Sequence, residues 1–126
     1  MEKEFIDYEW LVYQCCEKVY CFKMFGDCQG TALAKVKYKG KDIWISIYFG
    51  SCSGCDPLQR YIESNSLPST REDLGKRQLN NLLKWFKKCC IEDEETPYEE
   101  LLKRFKEDSE WDMEAEKALK FLEENK

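Results

Sequence analysis

The chain has 126 residues, of which 43% are hydrophobic and 36% charged, and its formal net charge is −5. This length suits one domain with one core, and the hydrophobic content excludes a disordered chain. The sequence has no histidine. Catalytic triads that contain histidine, zinc sites with histidine ligands and histidine general bases are therefore excluded. No apolar run approaches the roughly 20 residues of a membrane helix, and the charged N-terminus lacks a signal-peptide pattern. We therefore expect a single cytoplasmic domain over residues 1–126, with mostly reduced cysteines.

The first half of the chain predicts one helix and a three-stranded antiparallel meander. Apolar residues at helical spacing, from Tyr8 to Cys16, predict a helix at about residues 6–16. In the stretch that follows, one side of the alternating pattern carries Lys35 and Lys37, and the other carries Ala32, Ala34, Val36 and Tyr38, which is typical of a strand. We expect one face of the meander to need covering by other elements. The strands are placed at residues 19–25, 31–38 and 42–49, with connections at residues 27–30 and 39–42.

The second half of the chain predicts helices that provide this cover. Asp56 followed by Pro57 indicates a helix start, with the helix at residues 57–63 and a linker at 64–69. Ser69 and Glu72 have the spacing of a capping box and predict the next helix start there.

An acidic break is expected at residues 91–95, before a further helix start at Thr96 and Pro97. A last helix is expected to carry Trp111 in its apolar stripe, together with Ala115 and Leu122. The predicted fold class is α+β: an N-terminal helix, the meander, and a C-terminal half of three to four helices. Residues 1–63 would form the sheet-containing half, and residues 70–126 a helical half packed on it.

The junction between the two halves is the most distinctive stretch. Gly50 and Gly54 permit a tight loop between a strand end and a helix start, and the loop carries Cys52 and Cys55. Backbone amides at such a junction favour negatively charged ligands. The candidate ligand- or partner-binding residues at and around this loop are Tyr48, Gly50, Ser51, Cys52, Ser53, Gly54, Cys55, Asp56, Asp27, Gln29 and Trp44.

The two loop cysteines allow three interpretations. A Cys-x-x-Cys pair beside a helix start can be redox-active, although thioredoxin-like enzymes carry it in a βαβ context. Alternatively, Cys52 and Cys55 bind zinc together with Cys28, but a second Cys-x-x-Cys pair is missing. The third interpretation is structural: small thiols packed in a tight turn, with no cofactor. We favour this last interpretation and expect no cofactor.

A resemblance rests on several short motifs. These are Asp27-x-Gln29-Gly30, the run Tyr48-x-Gly50-Ser51-Cys52-Ser53-Gly54-Cys55-Asp56-x-Leu58, Trp85-Phe86 and Trp111-Asp112. With these motifs, residues 25–112 resemble an uncharacterised family of small bacteriophage proteins. The resemblance implies a soluble accessory protein inside the infected host cell and implies no reaction. An aromatic residue stands at the position of Cys28 in that pattern, which argues against Cys28 as a required ligand.

These observations predict a non-catalytic accessory protein that binds and inhibits or sequesters a host or defence component. Residues 92–126 contain 6 Lys and Arg against 14 Asp and Glu, a balance that attracts basic protein surfaces and repels nucleic acid. Solvated helix faces are the plainer explanation of these charges. The predicted protein-partner surface consists of Glu94, Glu95, Glu107, Asp108 and Glu110.

Three alternatives use other residues. One is a protein that captures a nucleotide-like signalling molecule, with phosphate bound by the Gly50–Asp56 loop and a base stacked on Tyr48, Trp44 or Tyr20. The second is a zinc-stabilised or thiol-active protein that uses the Cys52-x-x-Cys55 pair. The third is a hydrolase whose metal is held by Asp27, Asp42 and Asp56, although carboxylates in turns are more often caps. Homodimerisation through exposed aromatic residues also remains open.

Overall fold

The computed structural model describes residues 4–51 and 54–126, and it has the α+β fold class that the sequence predicts. A 3-10 turn at Arg71–Asp73 and a π-helix at Lys87–Glu92 supplement the regular elements. Within the described residues, no helix has the length and apolar character needed to cross a membrane. The regular elements are α1 (Tyr8–Cys15), β1 (Lys18–Gly26), β2 (Gly30–Tyr38), β3 (Lys41–Phe49), α2 (Pro57–Ser64), α3 (Lys76–Phe86), α4 (Tyr98–Asp108) and α5 (Met113–Glu124).

The three strands form an antiparallel sheet in the order β1-β2-β3. Gly30 pairs with both Gly26 and Phe49, so the turn at residues 27–29 and the chain leaving β3 lie at the same end of the sheet. Tyr38 pairs with Lys41 at the opposite end, beside the β2–β3 hairpin turn.

Helices cover both faces of this sheet, which corrects the expectation of one covered face. On the first face, Ala34, Val36 and Ile45 are fully buried beneath α1, α2, α3 and the π-helix, which we name the first helix layer. On the second face, Leu33 and Trp44 are buried beneath α4 and α5, which we name the second helix layer. The strands need a second cover because Phe25 joins these two large apolar residues on that face.

The start of α3 differs from the predicted capping box at Ser69 and Glu72. The helix begins at Lys76, where the side chain of Gln78 accepts a hydrogen bond from the amide of Gly75 at 2.8 Å. Residues 69–71 pair instead with the N-terminal segment: the Ile6 amide donates to the Ser69 carbonyl at 3.0 Å. This long-range pairing uses backbone groups that a helix would need, so tertiary contacts override the local signal.

The predicted acidic break crosses from the first helix layer to the second along the outer edge of β3. The Ser46 amide donates to the Glu94 carbonyl at 3.2 Å, and the Thr96 amide donates to the Trp44 carbonyl at 2.9 Å. Ile91, placed in the break by the sequence, is fully buried in the π-helix. The acidic segment is therefore a connection held against β3 by backbone hydrogen bonds, and it partly covers the edge of the sheet.

Trp111 corrects the predicted stripe of the last helix. It lies in the turn between α4 and α5 and is 76% exposed, whereas Ala115, Ala118 and Leu122 face the core as expected. The helix begins after it because Asp112 caps α5, accepting a hydrogen bond from the Glu114 amide at 3.0 Å.

Candidate functional site

A buried carboxylate organises the junction between β3 and α2. Asp56 is 6% exposed, and its Oδ1 accepts hydrogen bonds from the Tyr8 hydroxyl at 2.8 Å and from the Gly50 amide at 3.0 Å. Its Oδ2 accepts from the Gln59 amide at 2.8 Å, which caps α2 as the sequence predicts. The Tyr8 hydroxyl in turn accepts from the Leu58 amide at 3.2 Å. One side chain thus ties α1, the end of β3 and the start of α2 together.

The backbone at Gly50 passes too close to Cys55 for any side chain. A Cβ added at Gly50 would lie 2.5 Å from the Cys55 Sγ and 2.9 Å from its carbonyl carbon. The Gly54 carbonyl accepts a hydrogen bond from the Arg60 guanidinium at 3.0 Å. The described parts of the loop are therefore packed as a structural corner.

Three backbone donors of this corner are already used within it. The Gly50, Leu58 and Gln59 amides, which would face a phosphate, all donate to Asp56 or Tyr8. The buried carboxylate places a negative charge where the ligand would sit, which opposes anion binding. Cys52 and Ser53 lie outside the described residues, so their predicted role as ligands stays a prediction.

The predicted stacking residues are not brought together. Trp44 is 6% exposed and packs against Tyr98 and Phe121 in the core, so the expectation that it stacks on a base is wrong. Tyr20 lies near the opposite end of the sheet, where its hydroxyl donates to Asp42 at 2.7 Å. Tyr48 is exposed at the Gly50 end.

The three carboxylates considered for metal-dependent hydrolysis do not converge. Asp27 and Asp56 lie at the Gly30 end of the sheet, whereas Asp42 pairs with Lys37, about 23 Å along β2 from that end. Asp56 is already saturated by three donors. The predicted trio is therefore wrong as a metal site.

The cysteines of the first helix layer are shielded thiols. Burial raises the pKa of Cys15 to about 11 and that of Cys16 to about 12, and burial also raises the pKa of Cys90. A raised pKa disfavours the reactive thiolate, so these three thiols are poor nucleophiles. Among the described residues, no three Cys, Asp or Glu side chains form a group that could hold a metal ion. The proposed set of Cys28, Cys52 and Cys55 includes a residue outside the described ranges and stays a prediction.

A cleft of about 350 Å³ opens at the Gly30 end of the sheet, between the β1–β2 turn and the second helix layer. Its walls include the predicted residues Asp27, Gln29 and Asp108. The structure thus brings together members of the predicted ligand group and the predicted partner surface. Tyr48 borders the cleft, because its hydroxyl donates to the Gln29 side chain at 3.2 Å.

The cleft is strongly acidic. Asp112 and Glu114 join Asp27 and Asp108 in its walls. Glu114 accepts hydrogen bonds from the Gly26 amide at 3.2 Å and from Lys117 at 3.3 Å, which locks α5 to the end of β1. Within residues 4–51 and 54–126, no cation forms an ion pair with Asp27 or Asp108.

Two highly exposed apolar residues adjoin one residue of this cleft in the sequence. Trp111 and Met113 are each 76% exposed and flank Asp112, one of the cleft's acidic residues. We name the combined surface the acidic corner; it consists of Asp27, Asp108, Trp111, Asp112, Met113 and Glu114. Sequence reasoning missed Met113, Asp112 and Glu114 as members, although the Asp-Met-Glu run after Trp111 was a visible helix start.

The predicted acidic surface is divided between two places. Glu107, Asp108 and Glu110 lie at the C-terminal end of α4, near the acidic corner. Glu94 and Glu95 lie before its N-terminal end, about 16 Å away along the helix, with Glu95 bridged to Ile45 on β3. The five residues therefore do not form one continuous patch.

Comparisons of the chain with protein-family models, with curated proteins and with solved structures find no match.

Proposed function

We propose that the chain is a non-catalytic accessory protein that acts by binding a basic surface of a partner protein through the acidic corner. The observation that carries this proposal is the exposure of Trp111 and Met113 on either side of Asp112, which lies in the wall of a carboxylate-lined cleft. Exposed apolar surface rimmed by polar residues is typical of interaction sites. Tryptophan in particular often dominates the free energy of protein association.

The surroundings of Trp111 favour a basic partner. Asp108 and Asp112 lie within the cleft, and the described residues supply Asp108 with no ion-pair partner. A lysine or arginine side chain from a partner fits such a cleft, because complementary charge speeds association and selects partners. Trp111 would supply the apolar anchor and the carboxylates the orientation.

The resemblance to small bacteriophage proteins supports the biological setting of the proposal. In that setting the partner is a host or defence protein in the cytoplasm of the infected cell, and binding inhibits or sequesters it. The shielded thiols, the saturated Asp56 carboxylate and the lack of histidine supply no obvious catalytic group. These features favour a binding role over catalysis.

The experiment is affinity capture of the partner from host lysate with the tagged chain, followed by binding measurements on the purified pair. Trp111→Ala should weaken binding by at least about tenfold, as expected for a central anchor. Glu110→Lys should also weaken binding, and the wild-type affinity should fall as salt is added.

Two matched variants serve as controls. Tyr13→Ala removes another exposed aromatic residue, on α1, and Glu95→Lys makes the same charge change beyond the far end of α4. Both should bind with wild-type affinity. Unchanged binding by Trp111→Ala, or equal losses in the controls, would overturn the assignment of the surface.

A further inference from the structure

A second concave surface lies on the opposite side of the molecule from the acidic corner. It is a groove of about 470 Å³ between the β2–β3 hairpin and the first helix layer. Its walls include Lys39, Lys84, Lys87 and Lys88 and one acidic side chain, Glu92. We name it the lysine groove; it is a local excess of positive charge on a chain whose net charge is −5.

The fold gathers these lysines from two elements. Lys84, Lys87 and Lys88 follow i, i+3, i+4 spacing, so they share one side of α3 and the π-helix, while Phe86 and Cys90 face the core. The π-helix is a rare conformation that is frequent at functional sites, and here it carries two of the lysines.

Glu92 fixes the hairpin against the helices. Its Oε2 accepts hydrogen bonds from the Tyr38 hydroxyl at 2.7 Å and from Lys39 at 3.1 Å. The salt bridge to Glu92 therefore holds Lys39 at the edge of the groove. Lys88 is paired with Asp93 at 3.0 Å, whereas no carboxylate among the described residues pairs with Lys84 or Lys87.

We propose that the lysine groove binds a small ligand that carries two or more linked phosphate groups, such as a nucleoside diphosphate. Lysine is a common phosphate ligand and acts as a point charge, so the convergence of several lysines suits linked phosphates better than one carboxylate. The volume of the groove lies within the range of small-molecule sites. Tyr38 and Leu83 supply apolar wall on which the remainder of the ligand packs.

A short ligand fits this surface better than a nucleic acid strand. The groove is bounded by the hairpin on one side, and the acidic second helix layer makes the overall charge of the molecule repulsive to long polyanions. The site shares no residue with the acidic corner, so this inference and the proposed function stand or fall separately.

The test is isothermal titration of the full chain with pyrophosphate, ADP and a single-stranded oligonucleotide. Pyrophosphate and ADP should bind with a stoichiometry of about one, and the double variant K84Q/K87Q should weaken them by at least about tenfold. The control K103Q/K106Q removes the same charge from the exposed side of α4 and should leave binding unchanged.

A substitution at Glu92 should tighten ligand binding, whereas the lysine substitutions should weaken it. Glu92→Gln keeps an acceptor for Tyr38 but removes the competing carboxylate, so it should tighten ADP binding by about threefold. Glu99→Gln, which makes the same charge change on α4, should not. Absence of pyrophosphate and ADP binding, equal effects in the control variants, or binding of the oligonucleotide alone would overturn the proposal.

Discussion

The two helix layers pack on the same sheet but carry opposite charge. The first layer's α3 and π-helix contain five Lys and Arg residues and one Glu, whereas residues 98–124 of the second layer contain five Lys and Arg against ten Asp and Glu. Both layers bury similar apolar residues, such as Leu82 in the first and Leu101 in the second. The contrast teaches that packing constrains only the inward positions, so the outward charges are free to serve recognition.

The layers also differ in how they are attached. The first layer is joined to the sheet by a buried polar network at Asp56. The second layer is joined to it by the edge-on contact of Phe121 with Phe25 at 5.5 Å and by the partly buried hydrogen bond from the Gly26 amide to Glu114. We therefore expect the first layer to be the more sensitive to single substitutions. The next two predictions test this difference, and a third concerns the crossover between the layers.

The largest effect is expected from a core truncation in the first layer. Phe86 is fully buried, so Phe86→Ala should lower the free energy of unfolding by about 4 kcal/mol through lost packing and a new cavity. Phe121→Ala, at a partly buried position of the second layer, should lower the free energy of unfolding by about 2 kcal/mol. Urea denaturation measures both values, and equal losses would contradict the proposed difference between the layers.

The two capping aspartates give a matched comparison of intermediate size. Asp56→Asn places an amide N–H group against backbone N–H groups in a buried site. It should therefore lower the free energy of unfolding by about 2 kcal/mol. Asparagine is also a good N-cap residue and the position is exposed, so Asp112→Asn should lower the free energy of unfolding by less than about 0.5 kcal/mol. If thermal unfolding shows similar losses for the two variants, the Asp56 network is not what locks the first layer.

The smallest effect is expected in the crossover between the layers. Burial, aided by nearby Asp93, raises the pKa of Glu94, so the folded chain holds this proton more tightly than the unfolded chain. The stability from this group is fully present below the ordinary pKa of 4.5 and is lost as pH rises through the higher folded value. Glu94→Gln should therefore unfold at a slightly higher temperature at neutral pH.

This advantage of Glu94→Gln should vanish at pH values below the ordinary carboxyl pKa, where Glu94 is protonated in both states. Glu95→Gln is the control, because it makes the same charge change at the neighbouring, exposed position. A melting temperature of Glu94→Gln that matches the wild type at all pH values would show that the crossover carries no electrostatic strain.

Local chemistry was sufficient to predict several features from the sequence. The alternation of Ala32, Ala34 and Val36 identified β2 and its buried face, and the Asp56-Pro57 pair identified the start of α2. These signals work because side-chain period and helix capping depend on residues only a few positions apart. The same reasoning failed at Ser69, whose backbone pairs with residues more than sixty positions away.

The candidate site was only partly predictable. Asp27 and Asp108 were each singled out, but only the packing of α4 and α5 on the β1–β2 end places them in one cleft. The sequence predicts Trp111 in an apolar helix stripe, whereas its exposure follows from the start of α5 at Asp112. The lysine groove was missed because Lys39 and Lys84 come from elements that are distant in sequence.

The sequence by itself determined the α+β class, the order of the elements and the tight corner after β3, because periodicity, glycines and caps act over a few residues. Only the tertiary structure decided that both faces of the sheet are covered, that Trp44 is buried and Trp111 exposed, and that opposite charges collect in two separate concavities. Burial and charge convergence depend on contacts between residues far apart in the chain, and no local pattern encodes them.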